Sequence, residues 1–400
     1  MNVLFLTIRL PYPLDSGANI RTFNLIKYIS ERRNVILLSI FGSKRDNNEA
    51  LAHLAKYCKE VKVVFNKERF SKAALFLKLI CSIFTEKPAT IFKYYFPDAK
   101  TKVLEIISTK KIGLIHCDHL HMAQYVEHIT DIPKLLDEHN IEHLLIKRYV
   151  KEQKNLIKKL LVLFFQYVKL KKYESAMAQR FDYCTVVSDV DKKSLESIAP
   201  GVSAYVISNG VDINFYKPQQ IEPQPNNLVF TGGMDWFPNE DAVLYFCDKV
   251  YPLIKKEIRN ICLYIVGSNP SHRMLNLSRQ NSGVVVTGYV EDVRPYIAKS
   301  SVYIVPLRIG GGSRLKILEA MAMGKAIVST SIGCEGLEVI DNKNILISDS
   351  PSEFAAKTIT LQRNNKLRVQ LESNARELVM HKYSWDIIGK DLNALYDRII

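Results

Sequence analysis

The stretch RIGGGSRLKILEAMAMGKAIVST, Arg308 to Thr330, places three adjacent glycines, a serine, two cations and a glutamate between two apolar runs. Gly310, Gly311 and Gly312 let the backbone approach a ligand closely. A helix beginning at Ser313 and Arg314 would offer that ligand free N–H groups and the positive end of its dipole. Arg314 can fork two phosphate oxygens, and Lys316 adds a point charge. Together these suit a diphosphate. Glu319 lies one to two turns further in, and its acceptor-only oxygens suit vicinal hydroxyls such as those of a ribose. The same letters also describe a surface loop and a capped helix with a solvated glutamate, so this stretch alone leaves both readings open.

Three other stretches carry chemistry. HCDHLH (His116–His121) sets His and Asp at spacings that can ligate zinc or iron. It reads as a strand leaving a sheet, and no further Cys or His motif completes a site. The expectation is therefore no metal, with His119 or His121 on the side of an acceptor substrate. DEHNIE puts His139 just past a strand's carboxyl end, with Asp137 and Glu138 beside it to orient it or meet an acceptor, and Glu142 a turn later. LPYPLDSGANIRTF follows the first strand but lacks G-x-G-x-x-G, which argues against a dinucleotide oxidoreductase.

Positioning these residues requires strands that end where they begin. Short apolar runs alternate with helical patterns throughout: Val3–Ile8, Val35–Phe41, Val61–Phe65, Gly113–Cys117, Lys134–Asp137 and Tyr183–Ser188, then Ala204–Ile207, Leu228–Thr231, Cys262–Val266, Val284–Thr287, Val302–Pro306, Ala326–Ser329 and Ile345–Ile347. Strands separated by helices imply parallel sheets covered on both faces. So many strands imply two sheets. We expect an α/β chain of two doubly wound domains, 1–203 and 204–384, facing across a cleft, with ligands at the carboxyl ends of strands. KPQQIEPQPNN (Lys217–Asn227) reads as linker. The apolar positions Trp385, Ile388, Leu392, Leu395 and Ile399 recur at helical spacing in a final segment, 385–400, expected to return to the first domain.

The chain has 400 residues, 47% hydrophobic and 24% charged, an ordinary globular composition. No signal peptide and no membrane-spanning run is apparent. Seven scattered cysteines without C-x-x-C suit buried thiols in a reducing compartment, hence a cytoplasmic location. The net charge is +14, and residues 1–200 hold 33 Lys and Arg against 21 Asp and Glu. Within 147–172 there are nine cations and one acid, Glu152. Lys147, Lys151, Lys154 and Lys158 fall on one side of a helix; Val150, Ile157, Leu160, Leu161, Phe164 and Val168 fall on the other. The apolar side suits packing inward, and the lysines suit an anionic membrane surface. No zinc-finger, RNP or helix-turn-helix pattern points to nucleic acid.

With PYPLDSGANIRTFNL, DEHNIE, VVSDVD, SNGVD, FTGGMDWFPNEDAV, IVGSNPS and TGYVEDVRPYI in this order, the chain resembles, over nearly its whole length, the retaining glycosyltransferases of family four. The resemblance implies the GT-B fold: an acceptor-binding Rossmann-like domain, a nucleotide-sugar-binding one, and a final helix crossing back to the first. It implies that Gly17 lets its loop touch the donor phosphate or the acceptor, that Arg21 stabilises an anion, and that His139 contacts the donor sugar near the reacting centre. Gly233 and Tyr289 join Gly311, Gly312, Ser313, Arg314, Lys316 and Glu319 on the donor side. Two departures stand out. The family often has two glutamates with seven residues between them; Glu319 matches the second, and Gly311 occupies the place of the first. The loop Gly232–Trp236 also lacks the family's cations, so Arg314 and Lys316 are expected to substitute from the neighbouring loop. The implied reaction moves a sugar from a nucleoside diphosphate to a hydroxyl acceptor with retention, without metal or cofactor. The basic first half and the cations of 147–172 lead us to expect it at the inner face of the cytoplasmic membrane, where a lipid-linked glycan acceptor would point to cell-surface polysaccharide assembly. Another GT-B enzyme, such as a 2-epimerase or an inverting transferase, and a non-catalytic lipid-binding protein of the same fold are the alternatives.

Overall fold

The computed structural model describes residues 1–41, 47–64, 78, 81, 82, 84–152, 156, 159, 160, 163–310 and 315–399. The chain divides into two compact units, Met1–Ser208 with Gly389–Ile400, and Asn209–Ile388.

The first unit is built on seven parallel strands: β1 (Asn2–Arg9), β2 (Asn34–Phe41), β3 (Cys58–Val63), β4 (Ile112–Asp118), β5 (Lys134–Glu138), β6 (Tyr183–Val186) and β7 (Ala204–Val206). Their order is β3-β2-β1-β4-β5-β6-β7. The inner strands NVLFLTIR and NVILLSIF are near-continuous apolar runs because helices cover both faces. The edge strand CKEVKV alternates charges with apolar residues and stays partly exposed, which blunts the open edge. It begins three residues before the expected Val61. After β1 the chain turns into the helix Gly17–Ser30, where Ser16 Oγ accepts from the Asn19 N–H at 3.3 Å.

The six strands of the second unit are β8 (Gln224–Thr231), β9 (Cys262–Val266), β10 (Val284–Gly288), β11 (Ser300–Val305), β12 (Ile327–Ser329) and β13 (Leu346–Ile347). They run parallel in the order β10-β9-β8-β11-β12-β13. Two expectations are corrected. β7, read as the start of the second domain, pairs with β6 and completes the first sheet. Gln224–Asn227, read as linker, is the first half of β8.

The last helix, Trp385–Ile399, packs against the first unit from Gly389 onward. A Cβ on Gly389 would lie 2.2 Å from Tyr28 Cδ1, so the missing side chain lets the helix lie against Gly17–Ser30. Asn393 Nδ2 donates to Tyr28 O at 2.9 Å, and Arg32 Nη1 pairs with Asp397 Oδ2 at 2.6 Å. Tyr396 OH meets His116 Nδ1 of β4 at 2.6 Å, fully buried.

The basic helix expected over 147–172 is only partly described; Lys154, Ile157, Lys158 and Leu161 lie outside the described residues, as does the Phe164 side chain. Among the others, Val150 is buried while Leu160 and Val168 are exposed, so the apolar positions do not share one inward face. Leu163–Val168 is wound as a π-helix that runs into the α-helix Lys169–Arg180. No helix among the described residues is long and apolar enough to cross a membrane.

Candidate functional site

In the first unit the strand order reverses between β1 and β4, and loops diverge there at the carboxyl edge. Asp118, the last residue of β4, anchors the cluster at this edge. Its Oδ2 accepts from Thr22 Oγ1 at 2.9 Å and Thr7 Oγ1 at 3.2 Å, and its Oδ1 lies 2.8 Å from His139 Nε2. The same Nε2 is 3.1 Å from Asp137 Oδ2. Asp137 in turn accepts from Arg21 Nε at 3.0 Å, Arg21 Nη2 at 2.7 Å and Thr185 Oγ1 at 2.6 Å. Arg21 Nη1 donates to the carbonyls of Ile207 and Ser208 at 2.9 and 3.3 Å.

Burial opposes charge on the His139 ring, but Asp118 and Asp137 outweigh it, and its pKa is raised to about 9. Burial also works against the two carboxylates. Even so, His139 and His119 bring Asp118 down to about 2, and Arg21 and His139 hold Asp137 well below its usual range. Near neutrality the cluster therefore holds two anions and two cations, with a protonated imidazole fixed between the carboxylates. His119, with φ of 78°, lies with its ring centroid 3.6 Å from that of His139. Burial and the neighbouring His139 push its pKa down to about 3, so it is neutral. Ligand atoms of Asp118, His119 and His139 fall within 4.8 Å of one another, as a metal would require. His121 instead packs edge-on against Tyr94 at 4.9 Å.

Two sequence expectations change. Arg21 is 1% exposed and clamps Asp137, so it acts through that carboxylate and not on a substrate anion. Glu138 does not join the His139 cluster. It is buried near Glu174, Glu142, Asp137 and Asp191, and its Oε1 has no hydrogen-bond partner. The Glu174 carboxylate accepts from the backbone N–H groups of Glu142 and His143 at 2.6 and 3.2 Å. Burial first, and then Glu174, raise Glu138 well above the usual carboxyl range. A carboxyl whose folded pKa is raised contributes least cost below its unfolded pKa and loses stability as pH climbs toward the folded value. Glu138→Gln should therefore match the wild type near pH 4 and exceed it above neutrality, by about 1–3 kcal/mol. Urea melts across pH check this; a variant less stable than wild type at pH 8 would show that the carboxylate is wanted there.

In the second unit the order reverses between β8 and β11. The turn after β8 approaches the turn after β9 so closely that a Cβ on Gly267 would lie 1.8 Å from Gly232 O. Gly232 has φ of 151°, and a Cβ there would lie 2.8 Å from Asn239 Nδ2 and 2.9 Å from Lys316 Nζ. Lys316, on the helix Leu315–Ala322, thus brings its ammonium to the Gly232–Gly233 turn. It donates to Asn239 Oδ1 at 2.8 Å and lies 4.1 Å from the centre of the Phe230 ring. Asn239 Nδ2 donates to Gly233 O at 2.8 Å, closing the turn. Glu319, one turn beyond Lys316, accepts from the Tyr216 hydroxyl; burial raises its pKa while Tyr216 and Lys316 oppose the rise. Arg308 forks Asp241 at 2.6 and 3.1 Å. Tyr289, just past β10, is 77% exposed. Gly17 is the first residue of its helix. Gly311, Gly312, Ser313 and Arg314 lie outside the described residues.

Sequence reasoning did not single out Asp118, Thr22, Asn239 or Tyr216. Asp118 was signalled by its place at the end of a strand inside HCDHLH. Thr22 and Asn239 lie inside the motifs PYPLDSGANIRTFNL and FTGGMDWFPNEDAV without being picked out there, and only Tyr216 stands outside every motif quoted.

Residues 225–364 match the family model described as glycosyl transferases group 1. A Klebsiella pneumoniae protein named as an uncharacterized 44.6 kDa protein in a cps region is 22% identical over 382 residues, covering 93% of this chain and 94% of that one. An uncharacterized glycosyltransferase of Methanocaldococcus jannaschii is 27% identical over 238 residues, 56% of this chain and 60% of that protein. Among solved structures, sucrose-phosphate synthase of Thermosynechococcus elongatus superposes with a TM-score of 0.75 at 16% identity, covering 100% of this chain and 99% of that chain. Anabaena HepE in complex with UDP superposes at 0.68 and 15% identity, over the whole of both chains. TarM does so at 0.71 and 14%, over 98% of each.

Proposed function

We propose that this chain, which has the GT-B glycosyltransferase fold and a group 1 glycosyl transferase domain in its second unit, moves a sugar from a nucleoside diphosphate to a hydroxyl of a glycan or lipid-linked acceptor, with retention at the anomeric carbon. The observation that carries the reading is the Lys316 ammonium beside Gly232, with Glu319 one turn beyond it. The β8 turn has no cation of its own, and the helix after β11 supplies one. The HepE structures with UDP, UDP and glucose, and UDP-glucose support a nucleotide-sugar donor.

In this reading the second unit binds the donor. Backbone N–H groups at Gly233 and in the loop through Gly311, Gly312 and Ser313, with Arg314 and Lys316, hold the diphosphate and stabilise the charge it gains as the C–O bond breaks. Glu319, steadied by Tyr216, takes the ribose hydroxyls, and Tyr289 lies on the same side. The first unit addresses the acceptor and the sugar. His139 contacts the donor sugar while Asp118 and Asp137 fix its ring and its charge; His119 and Gly17 serve the acceptor side. The departing phosphate accepts the acceptor's proton on the face it leaves, so no carboxylate nucleophile is needed. The cps-region name of the Klebsiella relative supports a role in cell-surface polysaccharide assembly, and we place that work at the inner face of the cytoplasmic membrane.

Lys316→Met and Arg314→Ala should each weaken a nucleoside diphosphate by about 1.5–3 kcal/mol while leaving the nucleoside nearly untouched. Calorimetry with both ligands, after a thermal-shift screen has chosen the base, measures this. Equal losses for nucleoside and diphosphate would remove both cations from the phosphate site.

A further inference from the structure

We infer that the first unit carries a groove for an anionic phospholipid of the membrane surface, formed where the π-helix Leu163–Val168 meets the end of the helix Asp189–Ile198. A cavity of about 460 Å³ opens there, lined by Tyr167, Val168, Lys171, Lys172, Ser175 and Ile198. That volume lies within the range of small-molecule sites, roughly 300–1,000 Å³. Its floor is mostly apolar, and Ser175 Oγ is already spent on the Ile198 carbonyl. Lys171 and Lys172 stand exposed at its rim.

A π segment, wider than the α-helix it interrupts, is where helices are often distorted for function. Here it ends on an exposed Val168. Phe84 is 84% exposed, the most of any large hydrophobic side chain among the described residues, and Leu156 and Leu160 are also exposed. Phe84 belongs beside the groove's helix because Lys169 Nζ donates to the Ser82 and Thr85 carbonyls, both at 2.7 Å. That bond pins the Phe84 loop at the start of Lys169–Arg180. Exposed aromatic and aliphatic side chains next to lysines are what a lipid interface accepts: rings and methyl groups enter the acyl boundary while ammonium groups remain at the phosphates. The nine cations and one acid of 147–172 give the matching field. One acyl chain in the groove, with its phosphate between Lys171 and Lys172, uses both parts of the surface. The inference rests on the proposed membrane location and not on sugar transfer.

Sedimentation of the full chain with vesicles of phosphatidylcholine alone, and of phosphatidylcholine mixed with phosphatidylglycerol, tests it. Binding should appear with the anionic lipid and weaken with salt. It should fall about tenfold or more in K171E/K172E, and several-fold in Phe84→Ser. Ile198→Trp, which fills the groove, should abolish the rise in melting temperature given by soluble short-chain phosphatidylglycerol. Unchanged vesicle binding in K171E/K172E would overturn the groove while leaving the membrane location intact. No binding to anionic vesicles at low salt would overturn both and leave the nucleotide measurements above unaffected. An equal melting shift from inorganic phosphate would reduce the lysines to a plain anion site, and preference for a single-stranded oligonucleotide over anionic vesicles would also overturn the assignment.

Discussion

Asp137→Asn should lower the stability of the first unit by about 3–5 kcal/mol, the cost of leaving one partner of a buried ion pair uncompensated. Arg21 cannot reach water to recover the loss: its side chain is 1% exposed, and Nη1 is fixed on the carbonyls of Ile207 and Ser208. The same substitution leaves one acceptor oxygen where Arg21, Thr185 and His139 shared two, and removes one of the two negative charges beside His139. Denaturant melts of the wild type, Asp137→Asn and the double variant Arg21→Met/Asp137→Leu separate the contributions. The double variant should recover a large part of the loss, since removing both charges removes the stranded one. A loss below about 1 kcal/mol in Asp137→Asn would mean that the pair is more hydrated than its geometry implies.

His139→Gln should reduce sugar transfer by about 10²–10³-fold with little change in nucleotide diphosphate affinity, as expected when a hydrogen-bond donor fixed on the reacting sugar is exchanged for a mobile amide. The variant has a second signature. The folded pKa of His139 is raised to about 9 from an ordinary value of 6.5. Its contribution to stability is therefore complete below about pH 6.5 and is lost as pH rises through about 9. Wild type should lose stability across that window, and the variant should not lose this component. Asp118 works in the opposite sense: with a folded pKa of about 2, its contribution is present above the usual carboxylate range and disappears as pH falls through about 2. Full transfer activity in a folded His139→Gln protein would remove the imidazole from the chemistry; an unchanged alkaline profile would mean that the ring is not held charged.

The thirteen strands among the described residues were legible because most of them are apolar runs set between helical patterns. The misplacements have physical causes. β3 was read too late because this edge strand carries Lys59, Glu60 and Lys62 among its apolar residues, which breaks the apolar run seen in β2. The domain boundary was drawn before β7 because the Pro- and Gln-rich stretch 217–227 looks like linker, whereas the pairing of β7 with β6 is a long-range fact that composition does not carry. Lys316 was legible from its place just after the glycines, on the helix that brings its ammonium to Gly232. The His139 cluster was legible only in part, since Asp118 meets Thr7 and Thr22 across 111 and 96 residues of chain, and Arg21 meets Asp137 across 116. Such contacts follow from strand order. Without that order, Arg21 reads as a free cation for a substrate when it is the counter-ion of a buried acid.

The bond between Tyr396 and His116 has a consequence for the order in which this molecule is made. Domains emerging from a ribosome generally fold as units, the earliest first. Here the earlier unit is unfinished when its 208 leading residues have been joined, because the residues that close its core, Gly389–Ile400, are added after the whole of the second unit. Until then the buried imidazole of His116 lacks the hydroxyl it faces in the folded state, and the surface around Tyr28 that Gly389 and Asn393 will cover is open to water. Synthesis therefore lays down all seven strands of the first sheet, and with them Arg21, Asp118, Asp137 and His139, before the second unit, and adds last the helix that covers Tyr28 and His116.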